Sequence, residues 1–118
     1  MAESFPFMVP GATSSREAMV WAPYDGAEIG TVPLADGAAV DTALETASRL
    51  FKNRDGWLSV EKRIDILEKT AELMAQRFDM LAVEAAREGG KPLPDSQVEV
   101  ARAIDGVKLC IETLRTQH

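Results

Sequence analysis

Few side chains in this 118-residue sequence have a type and spacing that could support catalysis. Cys110 is the single thiol, and a thiolate can act as a nucleophile or as a metal ligand. It directly precedes Ile111 at the edge of a helical apolar pattern, with no histidine near it in sequence. We therefore expect a buried, unreactive cysteine. The single histidine, His118, is the last residue and has no predicted ligand partner.

Two other patterns have residue types that could bind a phosphate or act as an acid–base pair. Residues 89–91, Gly-Gly-Lys, are similar to the end of a phosphate-binding loop, but Pro92 stands where that loop needs Ser or Thr. We interpret these glycines as a helix stop. Four carboxylates recur at helical spacing, which is typical of a solvated helix face rather than of an acid–base pair. They are Glu61, Asp65, Glu68 and Glu72.

The longest amphipathic pattern occupies residues 59–92, and the remaining elements must pack around it. Eight apolar residues recur at alternating spacings of four and three, which places them on one face of a helix. They are Val60, Ile64, Leu67, Ala71, Met74, Phe78, Leu81 and Ala85. Ser59 is a suitable N-cap, and Gly89 or Gly90 can end the helix before Pro92. The pattern predicts one continuous helix over 59–89.

Two further helices are predicted on either side of it, over about 36–53 and 94–116. Asp36 can cap the first helix, and Pro94 suits the first turn of the last one. Both segments repeat apolar residues every three or four positions. Residues 36–118 are therefore predicted to form a three-helix segment.

Residues 1–35 have a different pattern, in which short apolar runs alternate with turn residues. Asp25-Gly26 separates two such runs and predicts a β-hairpin over about 18–32. A further strand is predicted over 5–9. The fold class is therefore mostly α with an N-terminal β-hairpin, an α+β arrangement within this chain.

The composition narrows the classes of function. A net charge of −6 argues against non-specific nucleic-acid binding, which needs clustered Lys and Arg. A single cysteine excludes an internal disulfide framework and is typical of a reducing compartment. The amino terminus lacks the pattern of a signal peptide, and no apolar run reaches membrane-spanning length. We expect a cytoplasmic protein with neither nucleic acid nor membrane as a partner.

Four segments resemble the aldehyde dehydrogenase superfamily in order and in spacing. Residues 22–33 resemble its amino-terminal Asn-Pro-x-x-Gly-x-x-Ile-Gly-x-Val-Pro stretch, although Ala22 replaces the usual Asn. Residues 35–47 resemble its first helix, and residues 57–67 its Trp … Glu-x-Arg-x-x-x-Leu run. Residues 88–103 resemble its Gly-Lys-Pro-Leu … Glu-Val-x-Arg signature. The resemblance covers nearly the whole chain from about residue 17.

This resemblance implies that the chain is the N-terminal, non-catalytic segment of an NAD(P)-dependent aldehyde dehydrogenase, one incomplete domain of a longer α/β Rossmann-like enzyme. The family oxidises an aldehyde to a carboxylic acid through a cysteine thiohemiacetal, with NAD or NADP as hydride acceptor. Its nucleophilic cysteine, general-base glutamate and oxyanion-hole asparagine match no residue here. We therefore expect the isolated chain to be inactive and to bind no cofactor alone. The expected partners are the rest of the enzyme polypeptide and further copies in a homo-oligomer.

The resemblance also implies one candidate metal site, a structural monovalent cation. Some members of the family hold it with backbone oxygens that correspond to Val20 and Trp21, and with an acidic side chain that corresponds to Glu88. Glu replaces the more usual Asp at this position.

A different class of function remains open beside the enzyme. The chain could be a stand-alone helical interaction module without catalytic activity, which binds a partner through the long helix. Methionine and aromatic residues could supply such a binding stripe, although a role in the core is the expected one. They are Trp57, Met74, Phe78 and Met80.

Overall fold

The computed structural model describes residues 3–117. The chain divides into two compact units, the first up to Trp57 and the second from Leu58 onward. The first unit contains three strands and one helix, and the second contains three helices. The first helix is thus grouped with the strands, whereas the sequence analysis had placed the boundary at residues 35 and 36.

A three-stranded sheet forms the amino-terminal part of the first unit. Its strands are β1 (Glu3–Ser4), β2 (Glu17–Trp21) and β3 (Glu28–Pro33), in the order β1-β3-β2. Strands β2 and β3 pair antiparallel, which confirms the predicted hairpin. Gly26 supplies the positive φ of the turn at 70°.

The first strand differs from the prediction of a strand over residues 5–9. Strand β1 ends at Ser4 and pairs in parallel with β3, and one further hydrogen bond runs from the Phe5 N–H to the Thr31 carbonyl at 3.0 Å. In a parallel ladder the next hydrogen bond would run from the N–H of residue 33 to the Phe5 carbonyl, but Pro33 has no N–H to donate. The ladder therefore stops where the sequence analysis expected the strand to begin.

The first predicted helix is confirmed as α1 (Gly37–Lys52). Asp36 caps it, because its Oδ1 accepts a hydrogen bond from the Ala39 N–H at 2.8 Å. After α1 the chain makes a short 3-10 turn at Arg54–Gly56. This turn leads into Trp57, the last residue of the first unit.

The single helix predicted over 59–89 is wrong in one respect, because the structure divides it in two. Helix α2 (Val60–Gln76) and helix α3 (Phe78–Gly89) meet at Arg77, whose ψ of 18° departs from helical values. Neither Pro nor Gly is present there, and both helices pack against α4 (Leu93–Thr116). We attribute the break to this shared packing, since the local sequence contains no helix breaker.

The core of the second unit lies between these helices. Ala82, Val100 and Ile104 are buried in it, and Met74, Phe78 and Leu81 pack around them. All eight residues of the predicted apolar face are buried or half-buried, so the one-residue break leaves the stripe in phase. Helix α4 confirms the helix predicted over 94–116. No helix in the part of the chain that the structure describes is long and apolar enough to cross a membrane.

Candidate functional site

The structure corrects the expectation that Cys110 is buried, because its side chain is exposed. Ile111, the next residue of α4, is only 5% exposed. Successive residues of a helix are separated by about 100° around its axis, so Cys110 falls outside the buried face. His118 lies outside the described residues.

The other polar patterns lie where the sequence analysis placed them. Gly90 adopts a left-handed conformation with φ of 65° and donates its N–H to the Ala86 carbonyl at 2.8 Å, so it ends α3. Lys91 pairs with Glu99 instead of facing a phosphate site. The carboxylates at 61, 65, 68 and 72 are all exposed. Their arrangement is that of a solvated helix face.

One of these carboxylates is electrostatically perturbed. Lys69 Nζ donates a hydrogen bond to Glu72 at 2.7 Å, and this bond with the positive charge lowers the pKa of Glu72. Gln76 Nε2 donates a further hydrogen bond at 2.9 Å. A carboxylate stabilised in its charged form is a poor general base, so the perturbation does not indicate catalysis.

The residues proposed for a cation belong to different units. Val20 and Trp21 lie in β2, where the pairing with β3 has an irregularity between these two residues. Glu88 lies in the last turn of α3. The cation site stays a prediction that depends on the resemblance alone.

Within residues 3–117 the structure groups no three His, Cys, Asp or Glu side chains in a way that could hold a metal ion. The close backbone approach at Gly30 is filled by β1, since a Cβ there would meet the Glu3 carbonyl at 2.6 Å and the Phe5 ring at 2.7 Å. Gly30 therefore offers no open backbone cradle for a phosphate group of a dinucleotide.

One arginine and two aromatic side chains form a cluster at the end of α1. The Arg54 guanidinium carbon lies 4.1 Å from the centroid of the Trp57 ring and 4.7 Å from that of Phe51. The two ring centroids are 5.6 Å apart at an interplanar angle of 48°. Trp57 Nε1 also donates a hydrogen bond to the Leu50 carbonyl at 3.2 Å. We call Phe51, Arg54 and Trp57 the Arg54 cluster.

An exposed apolar surface continues from this cluster along α1. We call Val40, Leu44, Leu50 and Phe51 the α1 face, because helical spacing places them on one side of the helix. Leu44 is 63% exposed and Phe51 59% exposed. A large apolar surface left in water is typical of an interaction site, so this is the strongest candidate for function in the first unit.

The second unit offers a groove of about 460 Å³ between α2 and α4. Ala71 and Ile111 contribute apolar lining, and Glu68 and Arg115 lie among its charged residues. Arg115 pairs with Glu68 across the helices and with Glu112 at 2.8 Å. These ion pairs are made within the unit and connect α2 to α4. The groove is therefore bounded by ion pairs that connect the two helices, and Lys108 also lines it.

The Arg54 cluster was not predicted from the sequence, in which residue 53 marked only the end of the first helix. A signal was present, since Phe51, Arg54 and Trp57 follow one another at intervals of three residues. That spacing keeps three side chains on one side of a short helical or 3-10 turn. An arginine between two aromatic residues at this spacing indicates a stacked cluster.

Two solved structures have a fold similar to that of this chain. A solved NAD-dependent aldehyde dehydrogenase from Sinorhizobium meliloti matches with a TM-score of 0.80 and 23% identity, over 95% of this chain and 24% of that chain. The glyceraldehyde-3-phosphate dehydrogenase GapN from Methanocaldococcus jannaschii, solved with NADP, matches with a TM-score of 0.76 and 30% identity, over 88% of this chain and 23% of that one. The fold of this chain is thus shared with about a quarter of each of these two dehydrogenases.

The sequence comparisons specify the family. The model of the aldehyde dehydrogenase family matches residues 10–118, and the chain belongs to this family. An aldehyde-dehydrogenase-like protein of Sinorhizobium fredii is 36% identical over 103 residues, which cover 85% of this chain and 19% of that protein. The chain therefore spans about a fifth of the length of this curated relative.

Proposed function

We propose that this chain is the N-terminal, non-catalytic part of an NAD(P)-dependent aldehyde dehydrogenase that oxidises an aldehyde to a carboxylic acid. The observation that carries the proposal is the family match over residues 10–118. In this assignment the chain contributes folded framework, and the reactive cysteine belongs to another part of the enzyme.

NAD or NADP is the proposed cofactor of the complete enzyme. One solved neighbour is NAD-dependent and another was solved with NADP, so the neighbours support both dinucleotides equally. The cofactor would accept hydride from the substrate. A cytoplasmic location, a homo-oligomeric state, a Cys thiohemiacetal and the structural cation at Val20, Trp21 and Glu88 belong to the same proposal through the resemblance.

A second candidate function is a stand-alone helical interaction module. The exposed α1 face favours it, because such a surface suits any partner with a complementary apolar groove. The two proposals differ in the polypeptide they require. An enzyme needs several hundred further residues, whereas a module can consist of these 118 residues alone.

The first experiment is to measure the mass of the native polypeptide that carries these residues, by immunoblot and mass spectrometry of its source cells. A polypeptide several hundred residues longer supports the enzyme. A polypeptide that ends at His118 contradicts it and favours the module.

The second experiment measures activity in a chimera. This chain replaces the matching quarter of the Sinorhizobium meliloti enzyme, with the parent enzyme as the positive control and the isolated 118-residue chain as the negative one. We expect aldehyde-dependent reduction of NAD by the chimera and none by the isolated chain. Reduction by the isolated chain would refute a non-catalytic role.

A further inference from the structure

We propose that the α1 face and the Arg54 cluster together form the docking surface of the first unit for the remaining part of an aldehyde dehydrogenase fold. Phe51 and Trp57 are its anchors. This inference rests on the proposed function. It adds to that function the partner that the surface binds and the residues that contact this partner.

The α1 face and Trp57 expose adjacent apolar side chains to solvent. Val40 and Trp57 are nearly half exposed, and Leu44, Leu50 and Phe51 are more than half exposed. Single exposed apolar residues are ordinary in soluble proteins, but adjacent ones form a patch that usually meets a partner. Covering these side chains would supply the apolar burial that drives association.

The side chains of the Arg54 cluster hold one another in place. Arg54 contacts both rings, and the Trp57 indole is also tied to the Leu50 carbonyl. Side chains that are already fixed lose little conformational entropy when they become buried. Tryptophan and arginine are also the residue types enriched at the energetic centres of interfaces. The cluster is therefore preorganised for contact.

Charged residues of α1 border the α1 face along one edge. Leu44 lines a shallow exposed pocket together with Glu45, Arg49 and Lys52. A partner that covers the apolar side chains would therefore meet these charges at the rim of the contact, where they can stay hydrated and need not be buried. The Arg54 charge lies within the surface and rests on two aromatic rings.

The partner that covers this surface is inferred from the length of this chain relative to that of the matching solved structures. The matching solved structures share this fold over nearly the whole chain, yet the shared part is only about a quarter of each of those chains. In the relatives this segment is thus continuous with a much larger body of protein. A second copy of this chain is the competing occupant, and the experiment separates the two.

The experiment compares hydroxyl-radical modification of Phe51 and Trp57, resolved by peptide mass spectrometry, in the isolated chain and in the Sinorhizobium meliloti chimera. We expect a several-fold lower modification of both side chains in the chimera. Equal modification of both in a folded chimera would overturn the inference. A protected but inactive chimera contradicts only the proposed function, and an active but unprotected one contradicts only the docking surface.

A matched pair of variants tests the same surface by another measurement. Leu44→Asp places a charge on the α1 face, whereas Glu45→Gln removes a charge from the rim of that face. We expect Leu44→Asp to leave the isolated chain folded, because Leu44 is 63% exposed, and to lower the melting temperature and soluble yield of the chimera. Glu45→Gln should change neither. Equal tolerance of the two variants in the chimera would count against the docking surface.

Sedimentation of the isolated chain keeps the inference testable even if the chimera does not fold. A monomer at all concentrations, with Phe51 and Trp57 fully modified, agrees with a surface that needs a different partner. A dimer that Leu44→Asp dissociates and Glu45→Gln does not would assign the surface to a second copy and overturn the inference.

Discussion

The Arg54 guanidinium lies over the Trp57 indole, with 4.1 Å between its central carbon and the ring centroid. The same group lies 4.7 Å from the Phe51 centroid, so one cation connects two aromatic rings. Arg54, in the short turn after α1, thereby contacts both Phe51 at the end of the helix and Trp57 beyond the turn. The relationship matters for function because the exposed apolar surface of the first unit is continuous with this cluster.

Removing this cation should loosen the Arg54 cluster without unfolding the first unit. Cation–π contacts at exposed sites contribute about 0.5–1 kcal/mol, so we expect Arg54→Ala to lower the free energy of unfolding by about that amount. Urea titration in a Trp21→Phe background, with Trp57 fluorescence as the signal, measures it. Arg102→Ala removes an exposed arginine of α4 and is the control. An unchanged Trp57 emission in Arg54→Ala would show that the stacking does not persist in solution.

Ser96 is fully buried in α4, and its Oγ has no hydrogen-bond partner among residues 3–117. A buried hydroxyl without a partner costs about 1–3 kcal/mol, so Ser96→Ala should stabilise the chain by roughly 1 kcal/mol or more. Helix propensity alone also favours Ala over Ser. Ser48→Ala on the exposed side of α1 measures that propensity effect separately. If the two substitutions raise the urea midpoint equally, the Ser96 hydroxyl is satisfied in solution.

The core of the second unit should respond to truncation far more than its surface. Ile104 is 7% exposed and packs with Ala82 and Val100, so Ile104→Ala should cost about 2–5 kcal/mol of stability. Ile66 is 52% exposed, and Ile66→Ala should cost less than about 1 kcal/mol. Chemical denaturation followed by far-ultraviolet circular dichroism measures both. A comparable loss from Ile66→Ala would mean that this surface is covered in solution.

The pH dependence of Glu72 provides a local test of electrostatics. Its pKa is lowered mainly by the Lys69 hydrogen bond and charge. Because the pKa in the folded state lies below that in the unfolded state, the stabilisation is present above the unfolded pKa. It is lost as the pH falls through the folded pKa. Lys69→Met should therefore raise the pKa of Glu72, measured by NMR titration of its side-chain carboxyl carbon.

Lys52→Met is the control for this titration, because it removes the same charge from the other unit. It should leave the pKa of Glu72 unchanged. If both variants move the pKa equally, net charge rather than the Lys69 contact sets it.

The elements that follow from local pattern could be predicted from the sequence. Asp25-Gly26 predicted the hairpin turn because few other residues tolerate a positive φ, and Asp36 predicted the start of α1 through its cap. The stripe over 60–85 predicted the buried face of α2 and α3 because the helical period decides which side chains share a surface.

The features that could not be predicted from the sequence depend on tertiary contacts or on one step of rotation around a helix axis. The break at Arg77 involves one residue and leaves the apolar period unchanged, so periodicity cannot locate it. Cys110 is adjacent in sequence to the buried Ile111, yet one helical step removes it from the core. The Arg54 cluster forms through contacts across a turn, which propensity alone does not specify.

Gly30 shows how a tertiary contact can make an inconspicuous strand residue essential. A Cβ at this position would lie 2.6 Å from the Glu3 carbonyl and 2.7 Å from the Phe5 ring. Both distances are too short for a contact with a Cβ atom. The Glu3 carbonyl belongs to the backbone and cannot rotate away as a side chain could. Gly30→Ala should therefore separate β1 from β3, and overpacking of this kind costs about 1–3 kcal/mol.

Hydrogen exchange at the Phe5 N–H, which bonds to the Thr31 carbonyl at 3.0 Å, measures this separation directly. We expect faster exchange of this amide in Gly30→Ala, with the β2–β3 hairpin amides less affected. Gly37→Ala is the matched control, because a Cβ there meets nothing within 4 Å. Unchanged exchange at Phe5 in Gly30→Ala would mean that β1 does not hold this position in solution, since a paired β1 leaves no room for the added methyl group.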